Sequence, residues 1–509
     1  MIQDSERLDI HGDTRPRLDI HGDRRPSVDA PLRIGMPVRS VPYGRLPAPR
    51  PQRRLPLGPL LVAAGVLIVA AGGFAAYRTF GRSSVEGTAA SSSSPAIPEG
   101  VGPQLLVPDA IAASVPGFVS TLRGLVDGAV AMTADGAPVT IEPGGQFRMY
   151  IPQGLTEIRL TATDEVGRVT EAVVAVTDSP PPPAYPATAA VHVRASDWGD
   201  PVVREQVIEL ARTGQINAVQ LDIKDEAGEV GYATAVPMAA TVGSAAGYYD
   251  AAEALAELHA LDVRVIGRIV CFLDPLMSKW AWENGRPDLI VLDGAGQAPL
   301  DNNYGSAAFS NLGSAEVRQY QLDLAVEAVG LGFDDILYDY IRRPEGDLAA
   351  MQFPGLDTPP EVAVARFVAE TKANLDTGEA MLGVSVFGIS ATRPEPTAQD
   401  IGLLAPNVDY VAPMVYPSHW GSGEYGVADP NRQPADIVGR SLADFERIVA
   451  GSGAAVVPWL QDFSEGGVTY TAAEVRAQID AAAAAGAEGF LLWNPHSQYS
   501  TDALDPAPG

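Results

Sequence analysis

From about Pro186 onward, short apolar runs alternate with amphipathic segments, and that alternation leaves few folds open. Repeated strand–helix units predict a parallel sheet, because each helix must carry the chain back before the next strand can run in the same direction. Val191-His192-Val193 opens the series. Strands are then expected at Ala218–Ile223, Val263–Val270, Asp335–Tyr340, Leu382–Phe387, Tyr410–Val415, Val456–Leu460 and Gly489–Trp493. Helices are expected after Asp200 and near Ala251–Leu261, Glu316–Val329 and Glu361–Leu375. Asp200-Pro201 offers an N-cap with proline at the first helical position, and Val203, Val207 and Leu210 then share a face. Thr471-Ala472-Ala473-Glu474 has the pattern of a capping box. Eight strands spread over roughly 300 residues match a closed (β/α)₈ TIM barrel of the α/β class better than an open sheet. The barrel is expected over residues 189–505.

Ahead of it, Leu55–Tyr77 (LPLGPLLVAAGVLIVAAGGFAAY) carries no charge and is long enough to cross a bilayer, which takes about 20 residues. Arg33, Arg39, Arg45, Arg50, Arg53 and Arg54 precede it without an intervening acid, while only Arg78 and Arg82 follow closely. The positive-inside rule then places the N-terminus in the cytoplasm and the barrel outside. The basic leader and the apolar run are both too long for a cleaved signal peptide. A single-pass cell-membrane protein is expected. Residues 1–54 read as a cytoplasmic tail in which RLDIHGDTRP (Arg7–Pro16) is followed by RLDIHGDRRP (Arg17–Pro26). The repeat is expected to be disordered, with a bivalent docking motif for a cytoplasmic partner as the alternative. Residues 78–100 read as a flexible linker. Residues 101–178 show short alternating runs separated by Gly, Pro and Asp, the pattern of a small all-β domain. The stretch DGAPVTIEPGGQFRMYIPQGLTEIRLTATDEVGRVTEAVVAVTD resembles the immunoglobulin-like modules of bacterial surface proteins, which implies a spacer. Residues 179–188, with Pro180–Pro183, read as a stiff hinge.

The formal net charge is −28, and the eleven arginines and seven acids up to Arg54 leave the remainder at −32. Such a surface repels nucleic acid and suits neutral glycans or small molecules. Cys271 is the only cysteine, so no internal disulfide forms. Outside the tail the histidines are His192, His259, His419 and His496, with no His-x-His pair, which argues against a di-metal site. No Gly-rich phosphate loop or serine elbow appears, and no cofactor is expected.

Barrel enzymes work at the C-terminal ends of their strands. There the sequence offers Asp222, Lys224 and Asp225 on strand two, and Arg268 with Asp274 on strand three. Strand four ends in Asp339, Tyr340 and Arg342, and strand six in Tyr416, Ser418, His419 and Trp420. Strand seven ends in Trp459, Gln461 and Asp462, and strand eight in Trp493 and Asn494. Carboxylates for acid and nucleophile work, together with flat aromatic faces, are what sugar hydrolysis needs. Asp339 stands between two tyrosines in an otherwise apolar strand, where a charge needs a reason. Arg268 lies mid-strand and is expected to point inward and pair with a carboxylate. Lys224 is expected to pair with Asp225 or solvent, and Asp334 and Asp335 to lie on the surface at the opposite end.

The pieces NAVQLDIKDEAGEVGY, VIGRIVCFLDPL, GFDDILYDYIRRP, VDYVAPMVYPSHWGSGEYG, PWLQDF and GFLLWNPHSQY fall in order over Ala190–Leu504. Together they resemble the bacterial "putative glycoside hydrolase domain" family, a barrel grouped distantly with the α-amylase type. The resemblance implies a glycosidase-like barrel acting on a polysaccharide or oligosaccharide. Two positions depart from the amylase type. Leu337 stands where those enzymes carry an arginine two residues before the strand-four nucleophile, and Ser385 stands where an acidic proton donor is expected on strand five. The pair expected here is therefore Asp339 as nucleophile or base and Asp462 as general acid, with Asp222 as the alternative second carboxylate. Asp222, Arg268, Asp274, Tyr340, Arg342, Tyr416, Gln461 and Asn494 would contact substrate, and Trp420, Trp459 and Trp493 would stack on sugar rings. The alternative is a non-catalytic polysaccharide-binding surface protein that kept the barrel and lost the donor, which Ser385 favours.

Overall fold

The computed structural model describes residues 102–113, 120–142, 144–177, 185–375 and 380–506. The apolar run Leu55–Tyr77, the tail repeat, the linker and Pro180–Pro183 lie outside them. Among the described residues no helix is long and apolar enough to cross a membrane.

Eight parallel strands close into a barrel. They are β1 (Thr188–Val193), β2 (Ala218–Lys224), β3 (Arg264–Val270), β4 (Asp335–Asp339), β5 (Met381–Phe387), β6 (Tyr410–Met414), β7 (Ala455–Val456 with Trp459–Gln461) and β8 (Gly489–Trp493). Each pairs with its successor, and β8 returns to β1 with Leu491 opposite Ala190. β7 is broken at Pro458, which has no N–H to give the ladder. β1 and β2 are buried along their whole length, as strands must be when helices cover one face and the barrel interior the other. Asp200 accepts from Val202 N at 2.8 Å to start the helix Pro201–Arg212. Thr471 and Glu474 form a reciprocal cap on Ala472–Ala485, and that helix stops at Gly486 in a left-handed conformation (φ +102°).

The strand reading passed over one insertion. Between β3 and the helix Ala315–Leu331 lie a helix at Pro275–Glu283, a short pairing of Asp301–Asn302 with Gly305–Ser306, and Leu292–Asp293, which pairs with Met351–Gln352 from beyond β4. The helix after β5 is, by contrast, a single turn, Ile401–Leu404.

Before the barrel, two sheets enclose a separate apolar core. Thr121–Asp127 pairs antiparallel with Gln104–Leu106 and Gln146–Tyr150. The second sheet runs in the order Ala110–Ala112, Val169–Thr177, Glu157–Thr163, Ala131–Ala134, Ala137–Val139. Period-two alternation sends Ile158, Leu160 and Ala162 inward against Leu122, Phe147 and Val174. Asp135 and Gly136, both at positive φ, make the two-residue hairpin turn that matches strand twist. This unit docks on the barrel flank. Arg123 pairs with Asp400 at the cap of the one-turn helix, Gln146 reaches Glu361 at 3.4 Å, and Ala110 N donates to Gly451 O at 3.2 Å. Gly451 has φ +84°, and a Cβ there would run into the Ala110 carbonyl. A cavity of about 440 Å³ lies along this junction, lined by Leu122, Arg123, Asp400 and Arg447.

Candidate active site

Alternation along β3 and β4 decides which side chains meet inside the barrel. Arg264 and Arg268 share one face of β3, and Asp335 and Asp339 share one face of β4. At the N-terminal end, Arg264 Nη2 donates to both oxygens of Asp335 at 2.7 and 2.6 Å, and Tyr185 OH donates to Oδ2 at 2.7 Å. Asp335 is thus buried rather than at the surface, because Arg264 and Tyr185, distant in sequence, supply its partners. Burial raises its pKa, and Arg264 works against the rise.

At the C-terminal mouth Arg268 is buried among three carboxylates. Its Nε and Nη2 donate to Asp339 Oδ2 at 2.9 and 2.7 Å, Nη1 donates to Asp222 Oδ1 at 3.0 Å, and Nη2 also bonds Glu226 Oε1. Arg268 lies in register with Leu337 on the neighbouring strand. The second Asp339 oxygen accepts from Tyr340 N at 2.7 Å. Tyr340 makes that contact at φ +46°, a left-handed conformation that costs a non-glycine residue about 1–2 kcal/mol. His192 Nε2 lies 3.1 Å from Asp222 Oδ1. Burial works to raise the Asp222 pKa, but the charges of His192 and Arg268 outweigh it and hold the carboxyl at about 2. Tyr416 packs beside the cluster, its phenol pushed well up by burial and then by the Asp339 charge. Half-buried Trp493 stacks on His192 with ring centres 6.4 Å apart and planes 15° apart, and lies 6.0 Å from Tyr416. Asp222, Arg268, Asp339, Tyr416 and Trp493 therefore gather at one mouth.

The other expected residues have further partners, and Asp462 N donates to Trp493 O at 3.1 Å. Asp274 caps Pro275–Glu283 through Met277 N at 2.9 Å and takes Lys224 Nζ at 2.6 Å, with both side chains fully buried. Lys224 thus pairs with Asp274, not Asp225, because the register shifts after Asp222. Arg342 is buried against Phe387, Tyr340, Phe309 and Tyr304 and pairs with Glu345, so it ties loops together below the surface. The Tyr340 ring packs on Tyr304. Trp459 is inside the barrel, 1% exposed, and donates Nε1 to Ser385 Oγ at 2.9 Å, a position from which it cannot stack on a bound sugar. Trp420 packs edge-on against Tyr425. Gln461 spends its amide on Ser418 N and Phe463 O. Asn494 Nδ2 donates to Asp462 O at 2.5 Å, and its Oδ1 accepts from His496 N. Both Asp462 oxygens accept from Ser500, from Oγ at 2.8 Å and N at 2.7 Å. Burial raises the Asp462 pKa and the Ser500 bonds oppose it. Besides Asp222, Glu226 also shares the arginine with Asp339, and sequence reading missed it together with His192. Glu226 stands beside Asp225 in a run of charges that looks solvated.

A family model described as "Putative glycosyl hydrolase domain" matches residues 190–499. No curated protein matches the chain. Among solved structures, a hypothetical protein from Ruminiclostridium thermocellum is 28% identical over 38% of this chain and 96% of its own, with a TM-score of 0.34. The PgaB (BpsB) glycoside hydrolase domain from Bordetella bronchiseptica is 14% identical over 61% and 95%, with a TM-score of 0.45. An α-galactosidase from Thermus thermophilus is 16% identical over 74% and 72%, with a TM-score of 0.41.

Proposed function

The chain belongs to the "Putative glycosyl hydrolase domain" family, and from that premise we propose that its barrel mouth hydrolyses O-glycosidic bonds with Asp339 as nucleophile or base. The observation that carries the reading is Arg268, which holds the Asp339 carboxylate and Asp222, while the half-buried ring of Trp493 stacks on His192, the other partner of Asp222. Two bonds from one guanidinium aim the carboxylate, and an aromatic face supplies the flat surface on which a sugar ring rests. The charge of −32 beyond the tail points to a neutral glycan. Leu55–Tyr77 with its preceding arginines supports a membrane-anchored enzyme whose barrel faces outward, toward glycans of the cell envelope or surroundings.

The test is release of new reducing ends by the full chain from neutral glycans and purified envelope polysaccharide, with Asp339→Asn alongside. Release that vanishes in the variant is expected, and unchanged release would sink the assignment. Protease added to intact cells should remove the C-terminal part, whereas its full protection would refute the outward topology. One observation favours a second reading, glycan binding without turnover. Ser385, where a donor is expected, is buried and bonded to Trp459. Tight binding by both proteins with no release from any glycan would select it.

A further inference from the structure

We propose that Glu226 is the second catalytic carboxylate, the proton donor and acceptor that works with Asp339 across a retaining displacement. This assignment rests on the hydrolase reading above and concerns the same mouth. Glu226 Oε1 and Asp339 Oδ2 are bonded to the same nitrogen, Nη2 of Arg268. Two oxygens on one donor cannot be further apart than two hydrogen-bond lengths, roughly 6 Å. So close an approach of one oxygen from each acid is in keeping with the roughly 5–5.5 Å between the carboxyl groups of retaining glycosidases, where no water has to fit between them.

The loop holding Glu226 is built to stay in place. Asp225 Oδ1 accepts from Ala227 N at 3.0 Å and Glu229 N at 2.9 Å, and Asp225 N donates to Glu229 O at 3.1 Å. Gly228 sits at φ +85°, and a Cβ there would strike the Asp274 carboxylate. Beneath it, the buried Lys224–Asp274 pair fixes the root of the turn. Glu226 therefore projects from a rigid turn at the end of β2.

Exposure separates the three acids on Arg268. The side chains of Asp222 and Asp339 are 0% and 5% exposed, and that of Glu226 is 30%. Only Glu226 can trade a proton with solvent and still reach a glycosidic oxygen. When it takes up a proton it releases Nη2, which then serves Asp339 alone. In the first step an Asp339 oxygen bonds to the anomeric carbon while the glycosidic C–O bond breaks. The bonding pair leaves with the aglycone oxygen, which takes the proton from Glu226. In the second step a water gives a proton to Glu226 as its oxygen bonds to the anomeric carbon. The glycosyl–Asp339 ester bond breaks and the carboxylate is regenerated, so one water has been added across the bond. Two inversions leave the anomer retained.

The experiment uses the full chain, the glycan it cleaves, and the dinitrophenyl glycoside of the sugar it releases. Glu226→Gln should lower turnover of the glycan roughly 10²–10⁴-fold. Glycosylation by the dinitrophenyl glycoside should persist as a burst, because that leaving group needs no proton. Azide should restore its turnover and yield a glycosyl azide of retained configuration. An unchanged melting temperature shows that the variant folds. Glycan turnover within about threefold of wild type, beside an inactive Asp339→Asn, would overturn the role of Glu226 and leave the hydrolase reading standing. Equal loss on both substrates without azide rescue, or an inverted product from wild type, would overturn it as well. An active Asp339→Asn, or no release by wild type, would remove the hydrolase reading and this assignment together.

Discussion

Arg264 and Arg268 face the same way on one strand, yet they do opposite work. At the closed end, Arg264 has one carboxylate, Asp335, and both of its ends are spoken for, with Tyr185 bonded to the acid and lying 4.9 Å under the guanidinium. At the mouth, Arg268 is shared among Asp222, Glu226 and Asp339. His192 also bonds Asp222, and Glu226 stays part-exposed, so this cluster keeps an open side. A balanced buried pair holds a fold together, whereas an unbalanced one with an open side is arranged for something that arrives.

The comparison breaks most visibly at Asp339. Asp339→Asn should lower hydrolysis roughly 10³-fold while leaving the melting temperature nearly unchanged, since two acids remain on Arg268. A collapse in melting temperature with normal turnover by the folded fraction would make the mouth a second structural cluster. Asp335→Asn should do the reverse. Urea unfolding should show a loss of about 3–5 kcal/mol, because the mutation strands Arg264 and Tyr185, while kcat of the folded protein stays put. Trp493→Ala comes next, with an expected loss of about 1 kcal/mol, read as a roughly fivefold rise in KM at steady kcat. A drop in kcat with no change in KM would take Trp493 out of sugar binding.

The smallest effect concerns pH. Burial and then Glu488 push the Glu446 carboxyl up to about 7, and burial and then Glu226 do the same for Asp225. Each folded value lies above its unfolded one, so the folded state binds the proton more tightly. Stability is then full below about pH 4 for these two groups and falls as pH rises toward 7. The melting temperature should be lower at pH 8 than at pH 5. Glu446→Gln, remote from the mouth cluster, should flatten part of that decline without touching hydrolysis. An unaltered slope would show that Glu446 does not titrate there.

The barrel was legible because its signal is local. Runs such as Leu382–Phe387 and Tyr410–Val415 are buried on both faces and interrupted by capped helices, so period and cap agree. Arg268 and Asp339 were legible as charges in apolar strands, where something must pair with them. What the sequence concealed depends on partners far along the chain. Asp335 reads as a surface acid until Tyr185 and Arg264 are beside it. Trp459 and Trp493 both end strands and look equivalent, yet the first turns to Ser385 inside the barrel and the second reaches the mouth. Glu226 looks solvated because nothing in KDEAGE announces an arginine on the next strand. Asp462 looked free because Ser500 lies a whole helix and strand away.

The one-turn helix after β5 carries a last consequence. Elsewhere the wall of the barrel is made by helices such as Ala315–Leu331 and Pro360–Leu375, but between β5 and β6 the one α-helix is Ile401–Leu404, with single 3-10 turns at Gly388–Ala391 and Ala405–Asn407. The all-β unit lies against that gap, with Arg123 on its cap residue Asp400 and Leu122 and Ile401 lining the same junction. It is a replacement part as much as a neighbour. A barrel without the module would leave Asp400 without Arg123 and open the flank around Ile401 to solvent.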